Sequence, residues 1–578
     1  MYQISFVYQN KSIQVNGGIL AAACTKAGFP LDLVCGGKGT CGKCSVTIES
    51  NGQKRNELAC KFEITEDLSV YLDNSQFLDQ ASLLTKHLAP QNISLNPALS
   101  KRYFKPSEMP PETYDKHLLN ASIPLLQKFS EIINVSDNRG FTVVYHQDQI
   151  IDFQCDDTTD YLYGGAIDIG TTSVVLYVYD LQTGKLIQTE SALNKQITFG
   201  ADVIARILSC QEQDNALAEL NRCINETINN LLEKCYLNHP YLRDHLFQLI
   251  LCGNSTMQHL FFKLNPIALG VFPFSNITQN HVLTNNLNCG LNLPDFSVIE
   301  FLPLLGGFVG ADTTAVLLTL PQDEKKYLMI DLGTNGEIAV GNTRQFYTAS
   351  TACGPALEGA NIECGMRASE GAIEKITLVD DAISIQTIGN TDPIGLCGSA
   401  IVDAIAVLRS AGIIDETGYL LTPDEYRIKQ PESQLVNQLA LLETDDVVFY
   451  FSNGKVPVYI SQKDIRQIQL AKSSIYSGCI TLLKECVLTL DDIDELVLAG
   501  AFGNFIDIDN ALSIGLLPPM PTEKIISIGN GAGHGVQLCL LNHHENLRTR
   551  SIQAHTKQVK LADSPDFMEA YIMNMNFN

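Results

Sequence analysis

The sequence predicts a multidomain α/β protein with a small cysteine-rich unit at its N-terminus and a duplicated α/β body behind it. Three observations carry this. Its 578 residues are too many for one compact core and suit about three or four domains. Four cysteines, Cys35, Cys41, Cys44 and Cys60, fall in a short glycine-rich N-terminal stretch. An Asp-x-Gly-Thr turn following an apolar strand occurs twice, at Asp168 and at Asp331, 163 positions apart.

Composition narrows the classes. Hydrophobic residues make up 45% and charged residues 18%, which is globular rather than disordered. No apolar run reaches 18 residues, so no membrane span is expected. MYQISFVYQNKSIQV alternates like a strand and does not read as a signal peptide. A formal charge of −25, from 39 basic and 64 acidic residues, disfavours nucleic acid and anionic membranes as partners. Seventeen cysteines without an export signal point to a reducing, cytoplasmic setting and to metal ligation or packed thiols rather than disulfides.

From the N-terminus, YQISFVY and KSIQV alternate polar and apolar and form a hairpin. GILAAACTKA is a helix, with Gly28 as its C′ residue. The cysteine loop and the strand SVTIE complete a unit of residues 1–80. Residues 81–117, broken by Pro90, Pro97, Pro106, Pro110 and Pro111, read as a linker. Residues 118–160 form a small middle domain of one helix and two strands. Residues 161–578 alternate strands and helices in two similar halves.

Cys35, Cys41 and Cys44 read C-x5-C-x2-C, with Cys60 after them. Thiolates are soft ligands, and an iron–sulfur cluster takes four. Glycines 36, 37, 39 and 42 let the loop wrap a cluster with its N–H groups aimed at sulfur. Zinc sites usually pair two short knuckles, whereas here three cysteines share one loop, which favours [2Fe–2S] over zinc or free thiols. Cys24, inside the helix, reads as a packed thiol. The loop resembles ferredoxins of the plant and adrenodoxin type, which implies a β-grasp fold. It departs from them in having only fifteen residues between Cys44 and Cys60.

Asp168-Ile-Gly170-Thr171-Thr172 runs into VVLYVYD, a β-rich segment. It is therefore a hairpin turn, not a Rossmann or P-loop helix start. Gly-Thr turns gather N–H groups and hydroxyls that suit phosphate oxygens, and the aspartate suits hydrated Mg²⁺. Asp331, Gly333, Thr334 and Asn335 offer the same groups. In ELVLAGAFGN, small residues around Gly500 would let a nucleoside lie against the backbone. Together the three segments resemble the phosphate-1, phosphate-2 and adenosine motifs of the actin, sugar kinase and heat-shock ATPase superfamily, which implies a duplicated ribonuclease H-like domain. Asp312 reads as a further catalytic carboxylate or as a helix N-cap. Asn254 lines a site or, with Ser255 as the other candidate, caps a helix. Cys353 and Cys364 read as packed thiols, and His543–His544 as a solvated pair. The glycine-rich stretch 351–373 reads as a loop able to close over nucleotide or partner.

The whole set, CGGKGTCGKC, GGAIDIGTTS, SALNKQITFGADVIARI, GNSTMQHLFF, MIDLGTNGEIAV, CGPALEGANIECGMRA and LAGAFGN, resembles the reductive activators of corrinoid-dependent enzymes. That resemblance implies ATP hydrolysis accompanying delivery of one electron to an inactive Co(II) corrinoid protein of a methyltransferase system, giving Co(I). It implies a [2Fe–2S] cluster on Cys35, Cys41, Cys44 and Cys60, Mg²⁺ and ATP phosphates at Asp168, Gly170, Thr171, Thr172, Asp331, Gly333, Thr334 and Asn335, and the nucleoside near Gly500. A low-potential donor must refill the cluster; the oligomeric state is left open, a homodimer included. A plant-type cluster near −400 mV reduces Co(II) only weakly, so nucleotide binding is expected to shift the equilibrium by its differential affinity for two states. Two other classes share the motifs: a small-molecule kinase with a redox-sensing ferredoxin domain, and a non-hydrolysing electron-transfer ferredoxin.

Overall fold

The computed structural model describes residues 1–29, 31, 39, 44–72, 93–105, 108, 121–135, 140–333, 335–359, 361–500, 503 and 505–577. Cys35, Cys41 and Thr334 lie outside the described residues. Among the described residues the chain forms six sheets. It divides into two units, Met1–Leu320 with Ala532–Gln553, and Pro321–Gly531 with Ala554–Asn578.

The first unit begins with β1 (Tyr2–Phe6) and β2 (Lys11–Val15), an antiparallel hairpin. Its alternation turns Ile4 and Phe6 into the core. Helix α1 (Leu20–Ala27) ends at Gly28, whose φ of 91° and N–H bonds to the Cys24 and Thr25 carbonyls make it a left-handed cap. Strands β3 (Ser45–Ser50), β4 (Gln53–Leu58) and β5 (Leu68–Tyr71) complete a mixed sheet ordered β2-β1-β5-β3-β4, with β5 parallel to β1.

A second sheet holds β6 (Leu99–Phe104), β7 (Phe141–His146) and β8 (Gln149–Cys155). Helix α2 (Ile123–Val135) covers it, with Phe129 against Phe141 and Phe153. Strand β6 lies inside the stretch read as linker. Between Pro97 and Pro106 lie eight residues without proline, of which Leu99–Phe104 pair with β7, burying Leu99 and Phe104.

The third sheet carries β9 (Tyr163–Ile169), β10 (Ser173–Asp180), β11 (Lys185–Leu193), β12 (Leu246–Gly253), β13 (Val282–Asn285) and β14 (Val298–Phe301) in the order β11-β10-β9-β12-β14-β13. Every residue of β12 is buried, as a central parallel strand between layers requires. Its helices include α3 (Val203–Glu212), α4 (Ala216–Asn238), α5 (Ser255–Phe261) and α6 (Ala311–Thr319).

The second unit opens with β15 (Tyr327–Leu332), β16 (Gly336–Asn342) and β17 (Gln345–Thr351). Two small sheets follow, β18 (Ala372–Val379) with β19 (Ala382–Thr387) and β20 (Gly395–Leu396), and β21 (Leu439–Leu441) with β22 (Val447–Asn453) and β23 (Pro457–Ser461). Helices α7 (Gly398–Ser410) and α8 (Gln462–Glu485) supply much of its core. Strands β24 (Glu495–Ala499), β25 (Ile525–Gly529) and β26 (Thr556–Gln558) complete the order β25-β24-β15-β16-β17-β26.

The two six-stranded sheets repeat one plan. A three-strand antiparallel meander has its first strand flanked by a parallel one: β12 beside β9, and β24 beside β15. The turn leaving that first strand carries the Asp-x-Gly-Thr sequence in each. The two sheets thus share this part of their strand order.

Candidate functional site

In the first unit Asp168 occupies the penultimate position of β9, and the Gly170 N–H donates to Ser173 O at 2.9 Å to close the turn. Both turns join antiparallel strands, as the β-branched residues after each one require. Cys252 of β12 is the register partner of Asp168, and its thiol donates to Asp168 Oδ1 at 3.8 Å.

Asp312 reaches the same place from another element. The helix α6 is capped by Gly310, not by Asp312, which sits in the first turn and accepts from the Thr313 N–H at 2.8 Å. The N-cap alternative for Asp312 is therefore corrected. A side chain at Gly310 would fall 2.4 Å from Asn254 Cα and 2.7 Å from Gly253 O, so only glycine lets the 306–310 turn lie on the end of β12. Burial first, then the Asp168 charge, raises the Asp312 carboxyl to about 6. Burial, then Asp168 and Asp312, push the Cys252 thiol well up. Two carboxylates thus face one poorly hydrated spot, a donor set that fits a divalent cation or a proton.

Asn254 joins a helix start to the Thr171 turn. It caps α5 by accepting from the Met257 N–H at 3.0 Å, and its Nδ2 donates to Thr171 Oγ1 at 3.0 Å.

In the second unit the Gly333 N–H donates to Asn335 O at 3.1 Å. Asp331 pairs across the hairpin with Glu337. A third carboxylate, Glu358, would lie 4.0 Å from a Cβ at Gly333. Cys353 donates to Gly333 O at 3.6 Å, and burial first, then Glu337 and Glu358, push its thiol up. Gly500 follows β24, alongside Asp331. Its φ is +90°, and a Cβ there would lie 2.6 Å from Leu332 O and 2.7 Å from Asp331 Oδ1. Glycine is required on both counts.

The structure therefore gathers Asp168, Gly170, Thr171, Thr172 and Asp312 in one unit, and Asp331, Gly333, Asn335 and Gly500 in the other. No local pattern singles out Glu358; its place in the glycine-rich stretch after Cys353 is the only signal.

Cys44 and Cys60 are buried and brought together by the β3–β4 hairpin. Ser45 pairs with Leu58, and the Ala59 N–H donates to Cys44 O at 2.9 Å. Two thiols at one hairpin end fit half of a four-thiolate cluster site. Cys24 is buried in α1, and burial pushes its thiol up to about 12, the behaviour of a packed thiol. Cys364 also packs, donating to Pro457 O at 3.7 Å. The solvated reading of His543–His544 holds for His544 alone. His543 is half-buried, its Nδ1 out of solvent, and burial lowers its pKa.

Family models match residues 163–325 as the RACo middle region and residues 325–578 as the C-terminal ASKHA domain of RACo. The chain is 40% identical over 576 residues to the corrinoid activation enzyme RamQ of Eubacterium limosum, covering 97% of this chain and 96% of that one. It is 25% identical over 414 residues to a [Co(II) methylated amine-specific corrinoid protein] reductase of Methanosarcina barkeri, covering 64% of this chain and 68% of that one. A solved reductive activator for corrinoid,iron-sulfur protein superposes with a TM-score of 0.73 at 26% identity, covering 100% of this chain and 98% of the other. The chain belongs to the RACo family of reductive activators of corrinoid proteins.

Proposed function

We propose that the chain is an ATP-dependent reductive activator that passes one electron to an inactive Co(II) corrinoid protein of a methyltransferase system, regenerating Co(I). The end-to-end match to a corrinoid activation enzyme carries this reading. The N-terminal sheet is read as a β-grasp ferredoxin-like domain and the duplicated sheets as a ribonuclease H-like ATPase. A [2Fe–2S] cluster bound by Cys35, Cys41, Cys44 and Cys60 would supply a one-electron carrier, refilled by a low-potential donor.

The remaining roles belong to the chain's own groups. The Gly170–Thr172 and Gly333–Asn335 turns offer N–H groups and hydroxyls to phosphate oxygens. Asp168 and Asp331 would each offer a carboxylate to Mg²⁺. Asp312, beside Asp168 and with its carboxyl raised to about 6, is poised to accept a proton from water near neutral pH. Gly500 lets the end of β24 lie against Leu332 and Asp331, beside the proposed nucleoside site. No helix among the described residues is long and apolar enough to cross a membrane; a cytoplasmic location is part of the same proposal.

The test is ATP hydrolysis by Asp168→Ala and Asp331→Ala. Each is expected to lose at least about a hundredfold in rate, the scale of removing one electrostatic element of a transition state, with the visible cluster spectrum unchanged. Two variants hydrolysing ATP at the wild-type rate would reduce both turns to plain hairpins.

A further inference from the structure

Arg206 of α3 is fully buried, and a buried guanidinium is costly unless it is paired and hydrogen-bonded. Its Nε donates to Gly200 O at 3.0 Å, and its NH1 group to Gln196 Oε1 at 3.2 Å and Met257 Sδ at 3.5 Å. Its NH2 group donates to Thr171 O. All four acceptors are neutral. Asp202, the carboxylate whose charge acts on it, is engaged in capping α3 through the Ala205 N–H at 2.7 Å. Burial draws the guanidinium down to about 9, so it stays protonated at neutral pH.

Arg206 works beside a second anchor. Buried Asn194 donates from Nδ2 to Gly170 O at 2.9 Å and from its backbone N–H to Thr172 O at 2.8 Å. Its Oδ1 accepts from the Gln196 N–H at 3.1 Å, and Gln196 is itself held by Leu220 O at 2.9 Å. All three carbonyls of the 170–172 turn are therefore tied to these two residues. In a trans peptide the N–H points opposite the preceding carbonyl. Drawing back Gly170 O and Thr171 O aims the Thr171 and Thr172 N–H groups the other way. Among the described residues neither has a protein acceptor. Asn254 fixes the Thr171 hydroxyl as well.

We infer that Arg206 is a positioning residue for a polyphosphate: it holds the Thr171 carbonyl back so that the turn presents its N–H groups, and it sets a fixed positive charge behind them. This offsets the negative charge of Asp168 and Asp312 nearby, which would otherwise repel phosphate. The inference rests on reading 170–172 as a phosphate turn.

The experiment is calorimetric binding of ATP and of adenosine to the full chain and its variants. Arg206→Met is expected to weaken ATP by about 10- to 100-fold, the scale of one charge-assisted hydrogen bond, and adenosine by less than about twofold. Arg206→Lys should recover part of the ATP loss. Asn194→Ala keeps the charge but frees Gly170 O, and should weaken ATP about fivefold or more with adenosine unchanged. Should Arg206→Met fail to fold, Arg206→Lys and Asn194→Ala decide the matter. Equal weakening of ATP and adenosine, or wild-type ATP affinity in the folded variants, overturns the positioning role alone. A wild-type chain that binds adenosine but not ATP overturns the phosphate reading and the inference together.

Discussion

Replacing Asp312 by Asn should make the nucleotide-free protein more stable while impairing its chemistry. Asn keeps an oxygen to accept from the Thr313 N–H and removes only the charge. The rise of the carboxyl from 3.8 to about 6 means the folded state disfavours the charged form. That cost is absent below the unfolded pKa, grows between 3.8 and about 6, and is complete above it. The full interval corresponds to about 3 kcal/mol; partial access to solvent cuts this to roughly 1–3 kcal/mol. The assay is thermal unfolding in chelator, without nucleotide, of wild type and Asp312→Asn. Near pH 8 the variant should melt a few degrees higher, and near pH 4.5 the difference should shrink towards zero. Added Mg·ATP should raise the wild-type Tm more than that of the variant, because ligand linkage scales with affinity. A variant less stable than wild type near pH 8, or a difference that does not change with pH, would refute the reading of Asp168 and Asp312 as a mutually repelling pair.

Two further outcomes are expected. Cys60→Ser should bleach or shift the visible absorption of the protein while leaving ATP affinity intact, and an unchanged spectrum would remove Cys60 from the ligand set. Gly500→Ala places a Cβ 2.6 Å from Leu332 O and 2.7 Å from Asp331 Oδ1 at a positive φ. It should cost about 1 kcal/mol or more in stability and weaken adenosine binding; titration of adenosine and a melting curve check both.

The sequence made the local devices readable and hid the non-local ones. Gly28 as a helix terminator and both Asp-x-Gly-Thr hairpins follow from residues adjacent in the chain. So do the hairpin β1–β2 and the buried Cys24. Strand β6 escaped because proline density around Leu99–Phe104 signals an irregular segment, and only pairing with β7, some forty residues later, makes it a strand. Asp312 was legible as a carboxylate on a helix start. That Gly310 rather than Asp312 caps the helix depends on the close approach of Gly310 to Asn254, which no local pattern encodes. Asn194 and Arg206 lie in SALNKQITFGADVIARI, where no local pattern marks either residue. Their function is to grip carbonyls of a turn over 20 residues away. Glu358 joins Asp331 and Glu337 only because the chain after β17 folds back over the Gly333 turn.

The coupling of nucleotide to electron transfer is what distinguishes an activator from an electron carrier. Each ~59 mV by which a donor falls short costs about tenfold in a one-electron equilibrium, so the proposed activator needs nucleotide to make up any shortfall. The most direct measurement is an anaerobic one, with a chemical reductant, a Co(II) corrinoid protein and this chain, following the Co(I) absorption band. Co(I) should accumulate when ATP is present, and little or none should form without ATP, with Cys41→Ser or with Asp331→Ala. Equal Co(I) formation with and without ATP would contradict the account and leave the chain a simple electron carrier.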